Sequence, residues 1–128
     1  MGSRTVWKIQ TDRNQGIHLY AHSDGEEKLQ ITAEALIIAK PRWSDESYFT
    51  RIFISQVIGD QWDSEYGYGL WAGSMDTDYF DESYEQCEIY PESKQIFFDG
   101  VSYTYEQFIA FSATKTVEKI QNKILTQG

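Results

Sequence analysis

The chain has one cysteine, two prolines and two histidines among its 128 residues. A lone thiol, Cys87, forms no internal disulfide, and without a second cysteine it supplies no zinc cluster. No apolar run approaches the roughly 20 residues of a membrane-spanning helix, and the N-terminus lacks the apolar core of a secretory signal. The expected location is the cytoplasm, with no membrane partner. Phosphate-binding glycine loops, Gly-x-Ser-x-Gly elbows and H-E-x-x-H pairs are all missing, so no catalytic group, metal or cofactor is expected. Positive charge is scarce as well. Between Arg51 and Lys94 there is no Lys or Arg, and the interval carries ten acids.

Those acids dominate a net charge of −9. Such a surface repels phosphate backbones, which excludes direct nucleic-acid binding without a local basic site. It suits a basic protein surface, and Asp60, Asp63, Asp76, Asp78, Asp81, Glu82 and Glu85 are the candidate acidic partner face. An acidic face that serves only solubility remains the alternative. Aromatic residues make up 16% of the chain. That is more Tyr and Trp than a core of this size needs, and amphipathic rings are enriched where proteins bind. The length corresponds to a single domain, residues 1–128.

Val6 to Gln10 and Ile17 to His22 read as strands joined by a polar turn around Asp12-Arg13-Asn14-Gln15-Gly16. In the second, Ile17, Leu19 and Ala21 alternate with His18, Tyr20 and His22, so the two sets face opposite ways. A helix over Glu27–Lys40 places Leu29, Ala33, Leu36 and Ile37 on one stripe and stops at Pro41. Ser44 is the expected cap of a second helix to Ile58, which buries Phe49, Ile52, Phe53 and Val57. Tyr66–Ser74 is a glycine- and aromatic-rich strand, and Gln86–Tyr90 with Gln95–Phe98 forms a hairpin. Thr104 and Gln107 fit a capping box that opens a C-terminal helix, and Val117, Ile120 and Ile124 mark a last amphipathic helix. The expected fold is α+β: a small antiparallel sheet packed on one face by two central helices and a C-terminal helix.

Three clusters stand out as candidate ligand-binding positions. His22-Ser23-Asp24-Gly25 lies where a strand hands over to a helix, which presents backbone N–H groups to an anion; ordinary capping explains it equally. His18 and His22 do not share a metal, because four residues of strand span about 13 Å. In the second cluster, Arg42, Trp43, Tyr48 and Arg51 surround the start of the second helix. Its guanidinium groups either grip an anion or pair with nearby carboxylates such as Asp45. Glu65-Tyr66-Gly67-Tyr68-Gly69 alternates rings with glycines, as suits a flat ligand or a bent strand, and nominates Tyr68. His22, Asp24, Arg42, Tyr48, Arg51 and Tyr68 are expected at one end of the sheet.

Leu19-Tyr20-Ala21-His22-Ser23-Asp24-Gly25, the run Arg42 to Phe53, Glu65 to Leu70 and Tyr105-Glu106-Gln107-Phe108 follow in an order that resembles a family of small uncharacterised phage and prophage proteins. Members of that family carry Leu-Tyr-x-His-x-x-Gly, Arg-Trp-x-Asp-x-x-Tyr-x-x-Arg-Ile-Ile, a Gly-Tyr-Gly segment and a final Phe-Glu-Glu-Phe helix. The likeness covers about residues 16–111; Ser23 departs from a common aromatic, and the acidic stretch Met75–Glu85 is longer. The family brings no activity. It implies a phage-encoded binding protein, at work in the host cytoplasm, that inhibits or sequesters a component of host defence without catalysis. Its partner would be a basic protein surface or a small anionic ligand, and a homodimer stays open. Two alternatives remain: a small enzyme acting on a nucleotide-like substrate with His22 and Asp24, and an immunity protein neutralising a basic toxin.

Overall fold

In a computed structural model, which describes residues 4–22, 27–77 and 84–127, strand β1 (Arg4–Asp12) is buried on both faces and sits inside a six-stranded sheet. Val6, Trp7 and Ile9 are fully buried, and a strand apolar on both sides is stable only with neighbours and cover on both sides. β2 (Gln15–Ala21) returns antiparallel to β1 through a hairpin with an irregularity between Gln10 and Asp12. Gly16 is required in that hairpin. A Cβ there would lie 2.6 Å from both the Ile9 carbonyl oxygen and the Met75 sulfur.

Two helices follow, α1 (Lys28–Ile38) and α2 (Glu46–Ile58), separated by a single 3-10 turn at Lys40–Arg42. Gly59, at φ 65°, ends α2. β3 (Tyr68–Ser74) then pairs antiparallel with the outer side of β2 and forms one edge of the sheet. β4 (Tyr84–Tyr90) lies on the other side of β1 and runs parallel to it, so the sheet is mixed where an antiparallel one was expected. The reason is topological: β2 and β3 fill one side of β1, and the chain crosses from that edge to reach the side still open. β5 (Gln95–Phe98) and β6 (Val101–Thr104) complete the order β3-β2-β1-β4-β5-β6. α3 (Tyr105–Gln127) follows β6.

The α+β expectation holds, with all three helices on one face of the sheet. Trp7, Leu19, Cys87, Ile89, Ile96 and Phe98 from the sheet meet Leu36, Phe49, Phe53, Tyr105 and Phe108 from the helices. The capping box forms reciprocally: the Thr104 N–H donates to Gln107 Oε1 (2.9 Å) and the Gln107 N–H to Thr104 Oγ1 (3.1 Å). Several details differ from the sequence reading. Asp45, not Ser44, caps α2, and Ile37 is half exposed. The segment after Asp99-Gly100 forms β6 before the helix. The last two expected helices are one, because Ser112 to Thr116 contains no glycine or proline to stop α3.

The opposite face of the sheet carries a buried polar layer. Lys8 and His18 stand side by side in the β1–β2 register, and both are buried. Lys8 Nζ donates to the carbonyls of Met75 (3.1 Å) and Thr77 (2.6 Å) and lies 3.7 Å from Glu88. The lysine thereby holds the start of the β3–β4 connection against the sheet.

Candidate functional site

Asp45 accepts from the Tyr48 backbone N–H at the start of α2 and also faces Arg42, whose Nη1 is 3.7 Å from Asp45 Oδ2. The Arg42 guanidinium sits 4.6 Å from the centre of the Tyr48 ring. Arg42 and Tyr48 are thus brought together, with the arginine engaged by a carboxylate and an aromatic face. Trp43 is core: its indole N–H donates to the Leu36 carbonyl at 2.9 Å and its ring meets Tyr105 edge-on at 5.2 Å. The aromatic nominated for ligand binding is instead a wedge between α1 and α3.

One turn along α2, Arg51 is exposed and has no ion pair among the described residues. It lies at a cavity of about 350 Å³ whose other lining includes Ile17, Ile54, Thr50, Thr11 and Glu46. Ile17 places this cavity at the β1–β2 hairpin end of the sheet. His22 is at the opposite end, where its N–H donates to the Gly67 carbonyl (3.0 Å) and Nδ1 lies 3.0 Å from the Tyr20 hydroxyl. Tyr68 pairs with Ala21 and so belongs with His22. The five residue steps from Ile17 to His22 span roughly 16 Å. The named residues therefore form two groups, Arg42–Tyr48–Arg51 at one end and His22–Tyr68 at the other, rather than one pocket. Asp24 lies outside the described residues.

The acidic candidates divide likewise. Asp60 and Asp63 are exposed in the segment before β3, beside exposed Glu65. Asp76 follows β3 and accepts from Asn14 Nδ2 at 2.6 Å. Asp78, Asp81 and Glu82 lie outside the described residues, as does the Glu85 side chain. Of the described candidates, Asp60 and Asp63 precede β3 and Asp76 follows it, while Glu46 on α2 lies by the β1–β2 hairpin.

β3 is the feature that sequence patterning under-read. Its bonds to β2 are fixed by two flanking contacts, His22 N–H to Gly67 O and Met75 N–H to Asn14 O, which set the register in which Leu19 faces Leu70. Antiparallel ladders alternate, so residues 69, 71 and 73 bond to β2, while Leu70 and Ala72 turn N–H and C=O outward. The Leu70 side chain is 45% exposed and Trp71 41%. Exposed sheet edges are normally blunted by Lys, Pro or bulges, and β3 has none of these. The signal was available in Tyr66–Ser74: nine uncharged residues, among them Tyr66, Tyr68, Leu70 and Trp71, bounded by the acids Glu65 and Asp76.

Among the described residues, no three His, Cys, Asp or Glu side chains are grouped to hold a metal, and no helix is long and apolar enough to cross a membrane. Burial pushes the Cys87 thiol far up, so it has no nucleophilic character. Burial, then the charge of Lys8, lowers the His18 imidazole pKa, and that ring packs against Gly73 and Trp71. Comparison with protein-family models, curated proteins and solved structures finds no match for the chain.

Proposed function

We propose that the chain is a non-catalytic binding protein that takes an extended, basic segment of a partner protein onto the edge of β3. The observation that carries this reading is the β3 edge itself, whose outer side no other strand pairs among the described residues. Leu70 and Ala72 offer outward backbone groups in a strand with no blunting device, and acids stand at both of its ends. Strand addition supplies main-chain hydrogen bonds for affinity, and the alternate side chains of the guest supply specificity. On the helix-facing side these would lie beside Leu70, Ala72 and the α2 groove; on the other side, beside Trp71. The enzyme alternative rests on His22 and Asp24, and Asp24 lies outside the described residues. The resemblance to phage and prophage proteins supplies the setting we propose, with a host-defence component as the target.

The test is calorimetric titration with a short peptide alternating lysine and valine, beside a matched peptide alternating glutamate and valine. The lysine peptide is expected to bind, the glutamate peptide not. Affinity should fall roughly tenfold or more between low and high salt, since the attraction is between exposed charges. Equal binding of both peptides, or of neither, contradicts the proposal.

A second reading, a small anionic ligand, is favoured by one observation: Arg51 is exposed beside a largely apolar cavity without an ion pair among the described residues. Its distinguishing result is a ligand-induced thermal shift that Arg51→Ala removes and that changes at the β3 edge leave intact.

A further inference from the structure

The second half of α3 belongs to neither the core nor the β3 surface. Among the residues whose burial is described, none beyond Ser112 is buried, and the helix continues to Gln127, a projection of about 22 Å at 1.5 Å per residue. Val117, Ile120 and Ile124 are 52%, 54% and 64% exposed. With exposed Ala113 they follow a 4-3-4 spacing, which is the seam of a helix that packs along another helix. Scattered exposed apolar residues are ordinary; a continuous stripe on a projecting helix is not.

We infer that this stripe pairs with the same stripe of a second copy, the two helices running antiparallel. Charge argues for that occupant. Residues 112–128 hold three lysines and one glutamate, a net +2, in a chain of net −9, so residues 1–111 carry −11. An anionic membrane surface would meet that body with repulsion. A parallel pair would set two strongly acidic bodies side by side. The antiparallel pair separates the points where the helices leave the bodies by roughly 16 Å, and brings each basic tip toward the acidic body of the other copy. It also alternates large with small. Val117 meets the partner's Ile120, and Ile124 meets the partner's Ala113, whereas a parallel pair would stack Ala113 on the partner's Ala113.

Sedimentation velocity of the full chain tests the pairing. A reversible dimer is expected on the order of 100 μM, as befits a small interface. Ile120→Glu should weaken association at least ~10-fold, because it places a charge in the centre of the seam, and should leave the melting temperature of the body unchanged. Orientation is read by disulfide trapping, for which buried Cys87 gives a silent background. A mixture of Ala113→Cys and Ile124→Cys chains should cross-link to each other and not to themselves. A chain that stays monomeric at those concentrations overturns the inference. So does a dimer indifferent to Ile120→Glu, self-linking of Ala113→Cys, or a monomer whose helix is captured by vesicles of anionic lipid.

Discussion

Replacing Tyr105 with phenylalanine should make the protein more stable. Tyr105 opens α3 and is 1% exposed, with its ring stacked on Phe49 at 5.4 Å and met edge-on by Trp43 at 5.2 Å. Its hydroxyl is buried with no hydrogen-bond partner among the described residues, and burial raises the phenol pKa well above its ordinary value. A buried hydroxyl left unpaired costs about 1–3 kcal/mol. Removing only the oxygen keeps both ring contacts and leaves a void smaller than a methyl group, which returns part of the gain. A net stabilisation of about 1 kcal/mol remains, worth roughly 4 °C in melting temperature for a domain of this size. Urea denaturation and calorimetry of Tyr105→Phe beside the parent measure it. A loss of about 1 kcal/mol or more would refute the reasoning, because it would mean that the hydroxyl had a partner worth keeping.

Trp43→Ala should cost about 3–5 kcal/mol, as expected of a core indole, while exposed Arg42→Ala should change stability by less than about 0.5 kcal/mol; denaturant midpoints compare the two. Cys87 should not react with a soluble thiol reagent in the native protein and should react promptly in denaturant, since it is fully buried and its thiol is held protonated. His18 has a folded-state pKa below its usual 6.5, so the unfolded chain takes up the proton first as pH falls. The stability it contributes is complete above about pH 6.5 and is lost as pH drops through and below that value. Denaturant midpoints from pH 7.5 down to 5 should show the decline, and a flat profile would contradict it.

Elements whose pattern is local were legible in the sequence: the β1–β2 hairpin, both central helices, the Pro91–Lys94 hairpin and the Thr104–Gln107 box. What failed depended on partners distant in sequence. The parallel β1–β4 pair follows from which side of β1 is left open, which no local periodicity encodes. Trp43 reads as a surface aromatic beside Arg42 and Ser44, and only the packing of α3 across α1 buries it. His18 alternates with core residues as an outward side chain should, yet Trp71 and Gly73 of β3 pack on its ring and it has no exposure. The candidate site split because Arg51 sits with Thr11 and Ile17 at the hairpin end of the sheet, while His22 and Tyr68 sit where β2 ends and β3 begins.

The β3 edge is tested most directly by two substitutions at one exposed residue. Ala72→Pro removes an N–H that points away from β2, so the β2–β3 ladder keeps its bonds. Ala72→Thr keeps the N–H and suits a strand. Titrated with the lysine–valine peptide, Ala72→Thr should bind like the parent. Ala72→Pro should lose about tenfold or more in affinity, the worth of a main-chain hydrogen bond and the steric block of a ring at the edge, with its melting temperature within roughly 5 °C of the parent. Undiminished binding by a folded Ala72→Pro protein would contradict strand addition at β3.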